Sequence, residues 1–100
     1  AIFYDPIEHV LANVHCGWRS NVLNIYAQTV AHMQMTYGSR AENLLVGISP
    51  SLGPEHAEFV NYRQELPAEF WQFQVKPNHF NLWEISRWQL RQAKVLPHHI

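Results

Sequence analysis

The hydrophobic period of this chain changes at Cys16-Gly17, and that change limits the folds open to it. Upstream, Val10, Ala12 and Val14 alternate with Leu11, Asn13 and His15, the period of two that sends successive side chains to opposite faces of a strand. Downstream, Val22, Ile25, Tyr26, Thr29, Val30, Met33 and Tyr37 recur with a period near 3.6 and form one apolar stripe, with Asn24, Gln28 and Gln34 off it. The apolar segment Ala1 to Asp5 and the turn signal Asp5-Pro6 make a hairpin with the Val10–Val14 strand, which is expected to point His9 and His15 the same way. Gly38 stands where a left-handed helix cap belongs. Leu44 to Ile48, lacking a polar alternate, reads as a strand covered on both faces, central in a mixed or parallel sheet. Strand, helix and strand in that order predict a βαβ unit.

Ser49-Pro50-Ser51-Leu52-Gly53-Pro54 comes next as a rigid, turn-rich loop at the end of that strand, a place where function often resides. From Glu55 to Phe73 the signals conflict, since His56–Val60 fits a short strand or a helical turn and Pro67 interrupts any element that would run through it. Asn81-Leu82-Trp83-Glu84 carries a capping box, and a helix is expected from there to about Ala93, with Leu82, Ile85, Gln89 or Leu90, and Ala93 along one side. The predicted class is therefore mixed α/β (α+β): a mixed sheet packed against a long helix and a second, C-terminal helix. The chain opens at Ala1 inside an apolar strand and stops at Pro97-His98-His99-Ile100 without a closing helix, so one domain over 1–100, incomplete at both ends, is expected.

Composition excludes several functions. With 7 Lys+Arg against 8 Asp+Glu the net charge is -1, too little positive field to hold a nucleic-acid backbone or an anionic membrane. No apolar run approaches the roughly 20 residues that span a bilayer. The single cysteine, Cys16, forbids an internal disulfide and points to a reducing compartment, so a cytoplasmic location is expected. CxxC pairs, HExxH helices, GxSxG elbows and Gly-rich nucleotide loops are all absent.

The strongest candidate for chemistry is His15-Cys16-Gly17-Trp18-Arg19-Ser20, where a strand hands over to a helix. A first helical turn offers backbone N–H groups without helical partners, Gly17 lets the backbone approach a ligand, and Arg19 adds a permanently charged fork. That set suits a phosphate. A plainer reading makes Gly17 a turn residue, pairs Arg19 with a carboxylate and uses Ser20 or Asn21 as a helix cap, and on spacing alone it leads. His15 could ligate a metal, act as a base or satisfy a core hydrogen bond. Cys16, on the opposite face of an extended strand, is neither its chelating partner nor its nucleophile but a small buried filler. Trp18, Trp71, Trp83 and Trp88 are mostly core material, with only Trp18 placed near a site.

The string His15-Cys16-Gly17-Trp18-Arg19-Ser20 resembles the His-Ala-Gly-Trp-Arg-Gly signature of the polyphenol oxidase (laccase-domain) family, whose members are also described as zinc-dependent purine nucleoside phosphorylases. Ile48-Ser49-Pro50-Ser51-Leu52-Gly53 is similar to that family's Ile-Gly-Pro-x-Ile-Gly loop, and Phe80-Asn81-Leu82 with Gln89-Leu90 to its Phe-Asp-Leu and Gln-Leu helix. The resemblance covers nearly the whole chain. It implies a mixed α/β domain in which His15 is one of three metal ligands, the others being a histidine and a cysteine supplied by the rest of the same polypeptide. Cys16 stands where the family has Ala and does not inherit a ligand role. Ser20 and Ser49 replace glycines, which permit backbone conformations that serine does not.

The implied activity is phosphorolysis of a purine nucleoside, adenosine or inosine, with adenosine deamination as a side reaction. Zinc is the implied cofactor and copper the alternative; purine nucleoside and inorganic phosphate are the implied partners. Arg19 is then the catalytic candidate, Gly17, Arg19 and Ser20 hold phosphate, and Trp18 contacts substrate. Two rivals stand beside it: copper-dependent oxidation of phenols, and a non-catalytic fragment or interaction module.

Overall fold

The computed structural model describes residues 1–100. Strand β1 (Ile2–Asp5) and strand β2 (Val10–Asn13) form the expected antiparallel hairpin, in a register that pairs Ile2 with Asn13 and Asp5 with Val10. The turn is organised by Asp5. Its carboxylate Oδ1 accepts hydrogen bonds from the backbone N–H of Ile7 at 2.9 Å and of Glu8 at 3.1 Å. His9 has a left-handed backbone with φ 58°, so it belongs to the turn and does not share a strand face with His15.

Strand β3 (Leu45–Gly47) pairs antiparallel with β1, giving the order β2-β1-β3. The hairpin strand β1 is therefore central and β3 lies at the edge, contrary to the expectation of a central Leu44–Ile48 strand; Leu45 is 42% exposed. The apolar run misled because Leu44 is buried before the strand begins and Ile48 packs on the core after it ends. With β1 between them, β2 and β3 run parallel to each other, so the strand-helix-strand order holds as a unit split by an inserted strand. On the inner face Phe3 lies between Ala12 and Val46, and its ring sits 6.1 Å from that of Tyr26.

The long helix is divided. Helix α1 (Trp18–Val22) is separated from α2 (Ile25–Tyr37) by Asn24, whose backbone is left-handed at φ 53° and whose side chain caps α2 by accepting from the Ala27 N–H at 3.2 Å. Asparagine tolerates this conformation because its short amide bonds locally. The predicted stripe holds in its middle, where Tyr26, Val30 and Met33 are buried, and fails at its ends, where Val22 and Tyr37 are exposed. Gly38 caps α2 in the left-handed region, as expected.

The ambiguous region folds as a short helix α3 (Tyr62–Glu65), a 3-10 stretch over Ala68–Phe73 begun by Pro67, and a small hairpin of β4 (Gln74–Lys76) and β5 (His79–Phe80). Helix α4 (Leu82–Gln92) starts at Asn81, whose side chain accepts from the Glu84 N–H at 3.1 Å. Two cores result. One holds Phe3, Tyr26, Val30, Met33, Leu44 and Leu90; the other holds Phe59, Leu66, Phe70, Phe80 and Ile85. α4 contributes Leu90 to the first and Ile85 to the second, so it is the element both cores share.

The Ser39 hydroxyl beside Asp5 and the two backbone N–H groups outweigh burial and hold the Asp5 carboxyl below its ordinary value of 3.8. A lowered acid stabilises the fold above its unfolded value and loses that contribution as pH falls through the folded one. Asp5→Ala should therefore unfold at lower temperature than the wild type at pH 7, with the gap closing below pH 3.8. Circular-dichroism melts at pH 7 and in acid would check this.

Candidate functional site

Three segments converge on a cleft of about 730 Å³. The first is the exit from β2 through Val14, His15, Cys16 and Gly17 into Trp18. The second is the loop after β3, from Ile48 to Leu52. The third is the start of α4, with Leu82, Trp83 and Ser86, while Asn21 and Tyr26 complete the lining. Strand alternation continues one residue beyond β2, since the Val14 N–H donates to the Ala1 carbonyl at 2.8 Å. Val14 and Cys16 consequently pack on the first core while His15 is exposed. The imidazole Nε2 lies 4.0 Å from where a Cβ on Gly17 would stand, so the ring borders the start of α1.

Asn21, Tyr26, Ser86 and Gln89 join α1, α2 and α4 beneath the cleft. Asn21 donates through Nδ2 to Ser86 Oγ at 3.2 Å and to Gln89 Oε1 at 2.9 Å. Gln89 Nε2 returns a bond to the Asn21 carbonyl at 2.7 Å, and the Tyr26 hydroxyl donates to Ser86 Oγ at 3.0 Å. Burial pushes the Tyr26 hydroxyl far above its ordinary value and also raises the Cys16 thiol beside it, so both are neutral at pH 7. Cys16 therefore lines the cleft as an uncharged, half-buried group.

Of the residues singled out in the sequence, His15, Gly17 and Trp18 reach the cleft, whereas Arg19 and Ser20 do not line it. Trp18 has a second role in packing, its ring meeting Phe59 edge-on at 5.4 Å. The Arg19 guanidinium rests 4.3 Å from the centre of the Trp18 ring and has no carboxylate within ion-pair distance, so the carboxylate pairing does not occur. Gly17, rather than Ser20 or Asn21, is the cap position of α1. With only five residues, α1 carries less dipole than the continuous helix expected from the sequence. Neither Ser20 nor Ser49 has a positive φ, so the two glycine replacements bring no backbone strain. The sequence reading missed Trp83, and the signal was there: it stands at the start of a capped helix.

The whole chain, residues 1–100, matches the family described as multi-copper polyphenol oxidoreductase laccase. The chain belongs to that family. It is 28% identical over 98 residues to a purine nucleoside phosphorylase of Bacteroides thetaiotaomicron, an alignment covering 89% of this chain and 36% of the relative. It is 34% identical over 53 residues to the human purine nucleoside phosphorylase LACC1, covering 53% of this chain and 12% of that protein, and 33% identical over 52 residues to the mouse protein of the same name, covering 52% and 12%. The chain thus spans about a third or less of the length of these relatives. No solved structure matches.

The family description names copper, yet no group of three His, Cys, Asp or Glu side chains comes together here. His15 is the one imidazole in the cleft. Typical zinc sites take three or four protein ligands, so these residues do not hold a metal by themselves. No helix is long and apolar enough to cross a membrane.

Asn21→Ala should strip Gln89 Oε1 and one bond from Ser86 in a buried setting, costing about 1–3 kcal/mol. Urea unfolding monitored by fluorescence would measure it, with Gln64→Ala, an exposed change, expected to cost far less.

Proposed function

We propose that this chain forms part of a purine nucleoside phosphorylase that converts adenosine or inosine and phosphate to the free base and ribose 1-phosphate. Family membership and the names of the relatives support this reading, and one observation carries it: the Arg19 charge is unpaired by any carboxylate and stored on the Trp18 ring beside the cleft. An Arg spent on an ion pair would be costly to recruit. One resting on an indole exchanges a modest cation–π contact for a charge-assisted bond to an anion. In this reading Arg19 swings to phosphate with the Gly17 and Ser20 backbone, and Trp18 contacts the nucleoside. A phosphate oxygen then attacks C1′ of the ribose, the bond from C1′ to the base breaks, and the base takes up its electron pair and a proton.

In the same reading His15 is one ligand of a zinc ion, or of copper in the alternative, whose other donors come from the rest of the parent polypeptide. Adenosine deamination is a proposed side activity. The proposed location is cytoplasmic, and the proposed domain is a laccase-family domain of which residues 1–100 are a part. The family description favours a second reading, copper-dependent oxidation of phenols. Favouring phosphorolysis over it are the relatives, which are named purine nucleoside phosphorylases. A non-catalytic interaction module is the third.

Hypoxanthine release from inosine by the zinc-loaded parent protein, with and without phosphate, tests the proposal. Release that requires phosphate is expected. In Arg19→Ala the phosphate KM should rise about 10- to 100-fold, the worth of one charge-assisted hydrogen bond, while metal content holds. Equal loss of phosphate binding and metal would overturn the role of Arg19. Absence of release from a folded, metal-replete sample would overturn the phosphorylase reading, and oxygen uptake with copper and a phenol would replace it.

A further inference from the structure

The loop that closes one side of the cleft is weakly tied to the fold. Ser49, Pro50, Ser51 and Leu52 take part in no backbone–backbone hydrogen bond. Their polar side-chain tie comes from the second residue of α4: Trp83 Nε1 donates to Ser51 Oγ at 2.9 Å. The same indole lies on Gly53, where a Cβ would come within 3.0 Å of its Cη2 and 3.3 Å of its Cζ2. Gly53 has no positive φ, so the contact with the ring, not the backbone, calls for glycine there. Trp83 nevertheless remains 39% exposed and lines the cleft together with Ser51 and Leu52. An indole that only filled a core would be covered; this one holds a loop and faces a cavity.

We propose that Trp83 is a specificity-determining positioning residue, clamping the Ser49–Gly53 loop as a wall of the cleft and presenting its indole to a flat heterocyclic base. The proposal rests on the reading of the cleft as a purine nucleoside site and adds which side chain selects the base. Trp18 and Trp83 are the two indoles in the lining, and each is held by a neighbour, Trp18 by the Phe59 ring and Trp83 by Gly53 and the Ser51 hydroxyl. Anchored rings lose little freedom on binding, and stacking one base on an aromatic side chain contributes about 1–3 kcal/mol. Phosphate, which has no flat face, gains nothing from the clamp.

Three variants of the parent protein test this. Trp83→Phe keeps a ring and loses the N–H, Ser51→Ala removes the acceptor, and Gly53→Ala pushes the ring off its seat. Backbone order parameters at Ser51 and Leu52, read by NMR relaxation, should fall in all three, and Trp83→Phe with Ser51→Ala should add little to either alone. The inosine KM should rise about 5- to 50-fold, the range that part of one stacking contact spans, with the phosphate KM changed less than twofold. Unchanged order parameters would overturn the clamp, and an equal rise in both KM values would overturn the selective role. If the wild type releases no base from inosine, the phosphorylase reading fails by itself. Hypoxanthine titrated against tryptophan emission then decides: weaker binding in Trp83→Phe and Ser51→Ala supports the base contact, and unchanged or absent binding overturns it.

Discussion

The buried amide pair of Asn21 and Gln89 holds the arrangement together. An amide buried without partners costs several kcal/mol, so each of these side chains is stable only where the other stands. That mutual need fixes α1 against α4 and, through Ser86 and Tyr26, fixes α2 as well. Apolar contacts between the same helices would be satisfied by many rotations and slides. Directed bonds accept one. Because α1 begins at Trp18 and α4 presents Trp83, the network under the cleft also sets the relation of its two indoles.

Much of this fold is legible in the sequence wherever a local pattern and its tertiary surroundings agree. The hairpin, the Gly38 cap and the α4 start arise from Asp5-Pro6, from a glycine after an apolar stripe and from Asn81 before Glu84, all short-range chemistry. Long-range features are another matter. Whether Leu45 lies in a central or an edge strand depends on what β1 pairs with, and nothing in Leu44–Ile48 encodes that. The break at Asn24 is hidden because the stripe runs through it, and a period of 3.6 does not register one left-handed residue. The aromatic packing of the second core, in which Phe59, Phe80 and Tyr62 come together, draws on segments about 20 residues apart, so no periodicity announces it.

At the candidate site the sequence placed His15, Gly17 and Trp18 beside one another because they are adjacent in the chain. It could not place the loop after β3 opposite them, nor see that Arg19 folds back on its neighbour. Membership of the laccase family and likeness to purine nucleoside phosphorylases come from the whole string of residues; the cleft shows which of them meet. In this chain that meeting is an aromatic and polar concavity with one imidazole in its lining and the Arg19 guanidinium resting on one of its indoles.

The parity of the β2 strand has a consequence for how such a site can vary. Val14 and Cys16 turn inward and His15 outward because of an even-and-odd count begun at β1. Substitutions between Val10 and Cys16 change one side chain at a time. Insertion or deletion of a single residue there would instead exchange the two sides, sending the imidazole toward the core and the thiol to the exposed side. Spacing in this segment is therefore under stricter constraint than composition, and the side chain at position 16 can be exchanged more cheaply than the strand can be lengthened by one.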